Sequence, residues 1–141
     1  MTTPFQYHVR VGYADTDRMG FVHHSRFLVY MESARTEMLR AGGDSYHAWE
    51  DRGILLPVTE VQVSYHKPAL YDDMLRIDTV IEEVTRLRLR FRYEVYCDER
   101  IARIATGMTS HVFMNKEGRP TRVAEDVIQK LKHHTQRHQN P

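Results

Sequence analysis

The stretch Leu87–Val95, LRLRFRYEV, alternates apolar and charged residues more regularly than any other part of the chain. Successive side chains of a β-strand point to opposite faces, so the alternation predicts a strand with one buried and one solvent-facing side. The apolar side comprises Leu87, Leu89, Phe91, Tyr93 and Val95, and the polar side comprises Arg88, Arg90, Arg92 and Glu94. The arginine stripe is therefore expected to be the polar face of an amphipathic strand.

Shorter stretches of the same period surround it. Alternation predicts strands at Val61–Tyr65, at Leu75 to Ile81 and at about Ile101 to Met114, and Phe5–Val11 is predicted to be a short strand as well. Consecutive strands of this kind favour an antiparallel sheet.

Helical spacing appears once at length, in the first half of the chain. Apolar residues recur at steps of four and three, and glycines then end the helix. The stripe comprises Phe27, Met31, Ala34, Met38 and Ala41, widened by Leu28 and Leu39 and ended by Gly42 and Gly43. Shorter helices are predicted at Tyr46–Arg52 and at Val123–His133. One long helix followed by consecutive strands predicts an α+β fold with the helix across the sheet, not a doubly wound parallel sheet.

Size and charge narrow the possible functions. A chain of 141 residues fits a single domain, 1–141, with a polar tail expected to be frayed from about His133. The net charge of +1, with acidic residues that match the arginines, and the lack of an aromatic stacking platform interleaved with the arginines disfavour a nucleic-acid partner. The single cysteine, Cys97, and the lack of a long apolar run predict a cytoplasmic protein with no membrane insertion.

The polar residues of YADTDRMGFVHHSRF, which begins at Tyr13, lie just before the long helix. Asp15, Asp17, His23 and His24 are compatible with a metal site, a reaction centre at a helix N-terminus, or a polar turn. Adjacent residues generally point apart, and no pair of histidines four residues apart and no third convincing ligand follows on a regular element, so a metal site is disfavoured. The histidines of the tail are expected to be a solvated end.

The order of these motifs resembles one enzyme family. The Asp-Thr-Asp turn, the Gly-x-Val-x-His after it, the Glu-x-x-Arg of the helix, and the later Tyr-x-x-Pro-Ala and Asp-Asp all occur in sequence. Together they resemble the hot-dog-fold acyl-coenzyme A thioesterases of the 4-hydroxybenzoyl-CoA thioesterase group, which includes enzymes associated with the Tol-Pal system. The resemblance implies a curved antiparallel sheet around the long helix and a homo-oligomer, either a dimer or a tetramer.

The resemblance also implies roles for residues of the turn. It places the catalytic carboxylate at Asp17, as general base or as nucleophile, and the oxyanion donor at the backbone N–H of His24. Asp15 is then expected to hold the loop, and Gly20 to let the backbone approach a ligand. Arg26 departs from the Asn common in the family, which bears on the geometry of the helix start.

Further residues are expected to contact the substrate. Glu32 either pairs with Arg35 or faces the acyl pocket. Basic residues are expected to bind the phosphates of coenzyme A, and two strand residues to reach the pocket from the facing subunit. The first set comprises His66, Lys67, Arg86 and Arg88, and the second comprises Ser64 and Tyr65. The expected cofactor is none, since coenzyme A is part of the substrate.

Two other functions stay open from the sequence. The acyl group is carried either by coenzyme A or by acyl carrier protein, and a noncatalytic module that binds acyl thioesters is a third possibility. Asp17 weighs against the noncatalytic reading, because binding alone does not require a carboxylate in that turn.

Overall fold

The computed structural model describes residues 3–43 and 46–137. Five strands and three helices follow one another along the chain. The strands are β1 (Phe5–Arg10), β2 (Val58–Tyr65), β3 (Met74–Val84), β4 (Arg88–Cys97) and β5 (Ala102–Val112). The helices are α1 (Arg26–Ala41), α2 (Tyr46–Asp51) and α3 (Glu125–Arg137). No helix in these ranges has the length and apolar character that crossing a membrane requires.

The strands form one sheet in the order β1-β3-β4-β5-β2, and every neighbouring pair is antiparallel. Helix α1 packs on the apolar face of this sheet, because its inward stripe and the alternate residues of β3, β4 and β5 are both apolar. The predicted α+β architecture, with the long helix across the sheet, is confirmed.

Strand β4 has the predicted alternation. Its inward residues Leu89, Phe91, Tyr93 and Val95 are fully buried, whereas Arg90 and Arg92 face outward and pair with Glu83 and Glu82. The arginine stripe is the polar face of the sheet, as its spacing predicts.

Helix α1 crosses the sheet at a glycine. A Cβ atom added to Gly107 of β5 would lie 2.5 Å from Met31 Cε and 3.3 Å from the Gln62 carbonyl oxygen. The missing side chain therefore makes room for Met31, which is fully buried.

The strands predicted at Val61–Tyr65 and at about Ile101 to Met114 are present as β2 and β5, and the differences from the predictions are local. Leu28 and Ala41 of the predicted helix stripe are exposed on α1, and Tyr30 is buried instead. Val61 and Tyr65 are exposed because β2 is an edge strand. Ile101 precedes β5 in a left-handed turn (φ 51°) and is 92% exposed.

The C-terminal helix also differs from its predicted bounds. Val123 lies before α3 and donates its N–H to the Arg86 carbonyl, so the helix starts at Glu125. The backbone remains helical to Arg137, past the predicted start of a frayed tail at His133. The rest of the predicted tail, residues 138–141, lies outside the described residues, as does His138.

Candidate active site

The Asp-Thr-Asp turn folds into a small hairpin before α1. The Asp17 N–H donates to the Phe21 carbonyl over 2.8 Å, and the Gly20 N–H donates to the Asp17 carbonyl over 3.0 Å. Gly20 has φ +82°, a left-handed conformation that residues with a Cβ disfavour. Glycine therefore closes the turn that holds Asp17.

The two oxygens of the Asp17 carboxylate have different environments. Oδ1 accepts hydrogen bonds from the N–H groups of Met19 (2.8 Å) and Phe21 (3.2 Å). Oδ2 accepts none from the residues that the structure describes. One oxygen is thus fixed by the backbone and the other is available to water or substrate.

The backbone N–H of His24 is also available. The carbonyl of the same peptide group, that of His23, accepts the Arg26 N–H over 2.9 Å at the start of α1. Since a trans peptide carries its N–H opposite its C=O, the His24 N–H points away from the helix. It finds no acceptor within the described ranges. Unpaired amides at a helix N-terminus favour negative charge.

Asp17 and His24 line one cleft, which has a volume of about 400 Å³. The hairpin packs on the segment after β2, because the Val22 N–H donates to the Ala69 carbonyl over 2.8 Å. The rest of the lining comprises Met19, Phe21, Val22, Phe27, Tyr65, His66, Lys67, Pro68 and Ala69. The cleft therefore combines an apolar wall, one carboxylate, one open amide and a basic rim.

Asp15 has a structural environment. Its carboxylate accepts hydrogen bonds from Arg26 Nε (2.8 Å), the Tyr30 hydroxyl (2.8 Å) and the Gly12 N–H (3.2 Å). Burial acts to raise the pKa of Asp15, but these hydrogen bonds and the Arg26 charge outweigh it and hold the pKa below its usual range. Asp15 ties the loop to the first turns of α1, including through the side chains of Arg26 and Tyr30, which the sequence interpretation did not identify as its partners.

The paired histidines form a turn at the helix start. His23 Nδ1 lies 2.8 Å from Ser25 Oγ, and the two imidazole rings lie side by side, tilted by 31° with their centroids 4.2 Å apart. Within residues 3–43 and 46–137, no group of three or more His, Cys, Asp or Glu side chains lies close enough together to hold a metal ion.

Of the ten site residues predicted from the sequence, the structure brings five to the cleft wall. These are Asp17, His24, Tyr65, His66 and Lys67. Gly20 closes the turn beside them. Ser64, next to Tyr65 on β2, points to the opposite face of the sheet with Gln62 and Thr106, because side chains alternate along a strand.

Glu32, Arg86 and Arg88 lie elsewhere. Glu32 is exposed on α1, and Arg35 turns into the core, where it donates to the Tyr93 hydroxyl over 3.4 Å. Arg86 donates to the Val123 carbonyl over 3.1 Å. Arg88 pairs with Val112 and Tyr65 with Ala105, so the two sites are seven residues, or roughly 23 Å, apart along β5.

Tyr65 reaches the cleft of its own chain. Its hydroxyl donates to the His24 carbonyl over 2.9 Å, and a contribution to the facing subunit's pocket stays a prediction. Its ring packs edge-on against Phe27, with the centroids 5.5 Å apart. Strand β2 ends beside the start of α1, and this proximity is not visible in the sequence spacing.

The chain belongs to the thioesterase-like superfamily, because the sequence model of that family matches residues 11–131. It is 36% identical over 129 residues to a putative esterase of Aquifex aeolicus, covering 92% of this chain and 98% of that protein. It is 42% identical over 87 residues to the acyl-CoA thioester hydrolase YbgC of Escherichia coli O157:H7. This match covers 62% of this chain and 63% of that protein. The solved structure of DHNA-CoA thioesterase from Staphylococcus aureus superimposes with a TM-score of 0.85 at 28% identity, over 91% of this chain and 88% of that one. The hot-dog fold and the thioester hydrolase class expected from the sequence are confirmed.

Proposed function

We propose that this protein hydrolyses acyl-coenzyme A thioesters to a carboxylic acid and free coenzyme A, with Asp17 and His24 as its catalytic groups. One observation carries the proposal. Asp17 and His24 line the same cleft, and among the described residues neither the Asp17 Oδ2 nor the His24 N–H has a hydrogen-bond partner. A base or nucleophile beside an oxyanion donor is the combination that acyl transfer needs. Two similar proteins support it: one from Escherichia coli is named acyl-CoA thioester hydrolase, and one from Staphylococcus aureus is named DHNA-CoA thioesterase.

In the general-base route, Asp17 accepts a proton from water as the water oxygen attacks the thioester carbon. The carbonyl oxygen becomes negative and accepts the His24 N–H hydrogen bond. The C–S bond then breaks, and the leaving thiolate takes the proton from Asp17. The Met19 and Phe21 amides on Oδ1 keep the carboxylate oriented throughout.

In the nucleophilic route, Asp17 Oδ2 attacks the thioester carbon itself. Coenzyme A leaves as the thiolate, and water then hydrolyses the mixed anhydride. After a single turnover in ¹⁸O-labelled water, label in the Asp17 side chain shows the nucleophilic route, because only hydrolysis of the anhydride at the Asp17 carbon puts solvent oxygen there. Mass spectrometry of the peptide that contains Asp17 reads this label.

Coenzyme A is proposed to bind with its phosphates at the rim formed by His66 and Lys67, which line the cleft beside the reactive groups. Arg86 and Arg88 lie at the far end of the sheet in the same chain. They would have to reach a bound coenzyme A from a second copy, and their role stays a prediction.

A homo-oligomer, dimer or tetramer, is proposed from the edge of the sheet. Among the described residues, β2 pairs only with β5, which leaves one edge of an eight-residue strand open. Its apolar residues Val58 and Val61 are exposed. Open apolar edges are normally covered. Light scattering coupled to size-exclusion chromatography measures the assembly, and a monomeric mass would contradict it.

Within the superfamily, the protein is proposed to belong to the 4-hydroxybenzoyl-CoA thioesterase group. It is proposed to act in the cytoplasm and to need no cofactor. The motif order of the sequence supports the group, and the single buried Cys97 supports a reducing compartment. Glu32, exposed on α1, is proposed to reach an acyl group only where a second subunit covers that helix face.

A panel of aromatic and short, medium and long aliphatic acyl groups tests the proposal, each presented on coenzyme A and on acyl carrier protein. The proposal predicts higher kcat/KM for coenzyme A thioesters, with release of free thiol. Preference for the protein carrier would favour the carrier-protein alternative. Tight binding of every thioester without thiol release would support the noncatalytic alternative.

A further inference from the structure

The hydroxyl of Tyr65 is placed to fix the backbone of His24. It donates to the His24 carbonyl over 2.9 Å, while the neighbouring His24 N–H has no acceptor in the described part of the chain. The carbonyl belongs to the peptide that follows His24, and the N–H belongs to the one before it. Tyr65 thus holds the residue that offers the open amide, without contacting that amide.

The same short segment is anchored from its other side. The His23 N–H donates to the Asp15 carbonyl over 2.9 Å, and the His23 carbonyl accepts the Arg26 N–H over 2.9 Å. The second bond restrains the peptide that carries the His24 N–H at its carbonyl end only, so the orientation of that peptide also depends on how the next peptide is held. Two hydrogen bonds hold this next peptide: the Tyr65 hydroxyl donates to its His24 carbonyl over 2.9 Å, and its Ser25 N–H donates to His23 Nδ1 over 3.3 Å.

The tyrosine is itself held firmly enough to act as an anchor. It ends β2, its backbone is in register with Ala105 of β5, and its ring packs against Phe27. Phe27 is 3% exposed in the first turn of α1. Loss of the hydroxyl alone would therefore leave the ring in place and release only the His24 carbonyl.

We infer that Tyr65 is a positioning residue for the oxyanion donor, in that its hydroxyl fixes the direction of the His24 N–H through the His24 carbonyl. The inference rests on the proposed function of that amide. An oxyanion donor stabilises the transition state only when it is aimed before the reaction begins, because reorientation costs free energy at the barrier. Tyr65 would then act on kcat rather than on substrate binding.

The test compares Tyr65→Phe with the wild type and with Tyr71→Phe as the matched control. Tyr71 is 57% exposed and packs against Tyr13, and its hydroxyl has no hydrogen-bond partner within the described ranges. Tyr65→Phe is expected to lower kcat about 3- to 10-fold, with KM within about twofold of wild type and the midpoint of thermal unfolding unchanged. Tyr71→Phe is expected to match wild type.

A backbone measurement makes the test independent of turnover. ¹⁵N relaxation of the His24 and Ser25 amides reports their ps–ns order, and Tyr65→Phe is expected to lower that order while Tyr71→Phe leaves it unchanged. Unchanged kcat in Tyr65→Phe, a raised KM at constant kcat, or unchanged order at His24 would each overturn the inference. A wild-type protein that hydrolyses no thioester would overturn the proposed function instead, and the relaxation data would still decide whether Tyr65 fixes His24.

Discussion

Arg26 Nε donates a hydrogen bond to Asp15 Oδ1 over 2.8 Å, and this ion pair joins the loop that carries Asp17 to the first turn of α1. The Asp15 side chain is only 14% exposed and also accepts the Tyr30 hydroxyl. Two aspartates that are two residues apart therefore have different environments. One is fully engaged with the fold, and the other keeps a free oxygen in the cleft.

The same substitution at both aspartates separates these roles. Asp15→Asn is expected to lower the free energy of unfolding by about 1–3 kcal/mol, because it removes the charge that Arg26 and Tyr30 bond. Asp17→Asn is expected to change it by less than about 1 kcal/mol, since an amide oxygen can still accept the Met19 and Phe21 N–H groups. Urea denaturation measures both. Equal losses of stability at the two positions would contradict the division.

The buried side chain of His111 is expected to make the free energy of unfolding depend on pH. It is buried on β5, with Nε2 2.8 Å from Thr109 Oγ1. Burial, reinforced by the Arg35 charge, lowers the pKa of His111 to about 4 from its usual 6.5. As the pH falls below 6.5, His111 binds a proton in the unfolded chain but stays neutral in the folded chain. The free energy of unfolding should therefore fall between pH 6.5 and 4, by up to about 3 kcal/mol.

The control for this prediction is His111→Gln, which cannot titrate in that range. The difference in unfolding free energy between wild type and variant should shrink as the pH is lowered from 7 to 4, measured by urea denaturation at each pH. Parallel pH profiles would show that His111 does not keep its neutral form in the fold.

Gly107 predicts a packing defect where α1 crosses the sheet. Gly107→Ala would place a methyl group 2.5 Å from Met31 Cε, so the methionine must move. The expected cost is about 1–3 kcal/mol of unfolding free energy. The control is Ser110→Ala on the outer face of the same strand, which removes the hydroxyl that accepts from Arg90 Nε and donates to Met108 Sδ but leaves the core packing intact. Gly107→Ala as stable as wild type would show that α1 lies further from β5.

Lys67 lies at the rim of the cleft, where the phosphates of coenzyme A are proposed to bind. Lys67→Gln should raise KM for an acyl-CoA by about 3- to 10-fold and leave kcat nearly unchanged, since a rim charge contributes binding that is equal in ground and transition states. For the same acyl group on pantetheine, which lacks the nucleotide phosphates, KM should not change. Equal effects on both thioesters would place Lys67 at the acyl group and not at the phosphates.

The sequence predicted the fold wherever one period dominated. The alternation of Leu87–Val95 and the stripe through Phe27 and Met31 are both set by burial on one face, and both elements are present. The edge of the sheet was predicted less well. Val61 is apolar, as buried strand residues are, but it lies on the edge strand β2 and is exposed. Local composition does not show which strand ends a sheet.

The site was predictable to the extent that it is local. Asp17 and His24 lie seven residues apart in one motif, and the cleft contains both. The bond from Tyr65 to His24 joins residues 41 positions apart, so it depends on how β2 meets α1. Arg26 was noticed as a departure from the family, but only the structure pairs it with Asp15.

The most direct measurement of the central claim is kcat/KM of Asp17→Asn on the best acyl-CoA substrate of the panel. A fall of about 100-fold or more, with the fold retained by circular dichroism, is the result expected if Asp17 is the base or nucleophile. Glu99→Gln, which neutralises an exposed carboxylate in the turn before β5, should retain wild-type activity. Hydrolysis by Asp17→Asn within about threefold of wild type would contradict the claim.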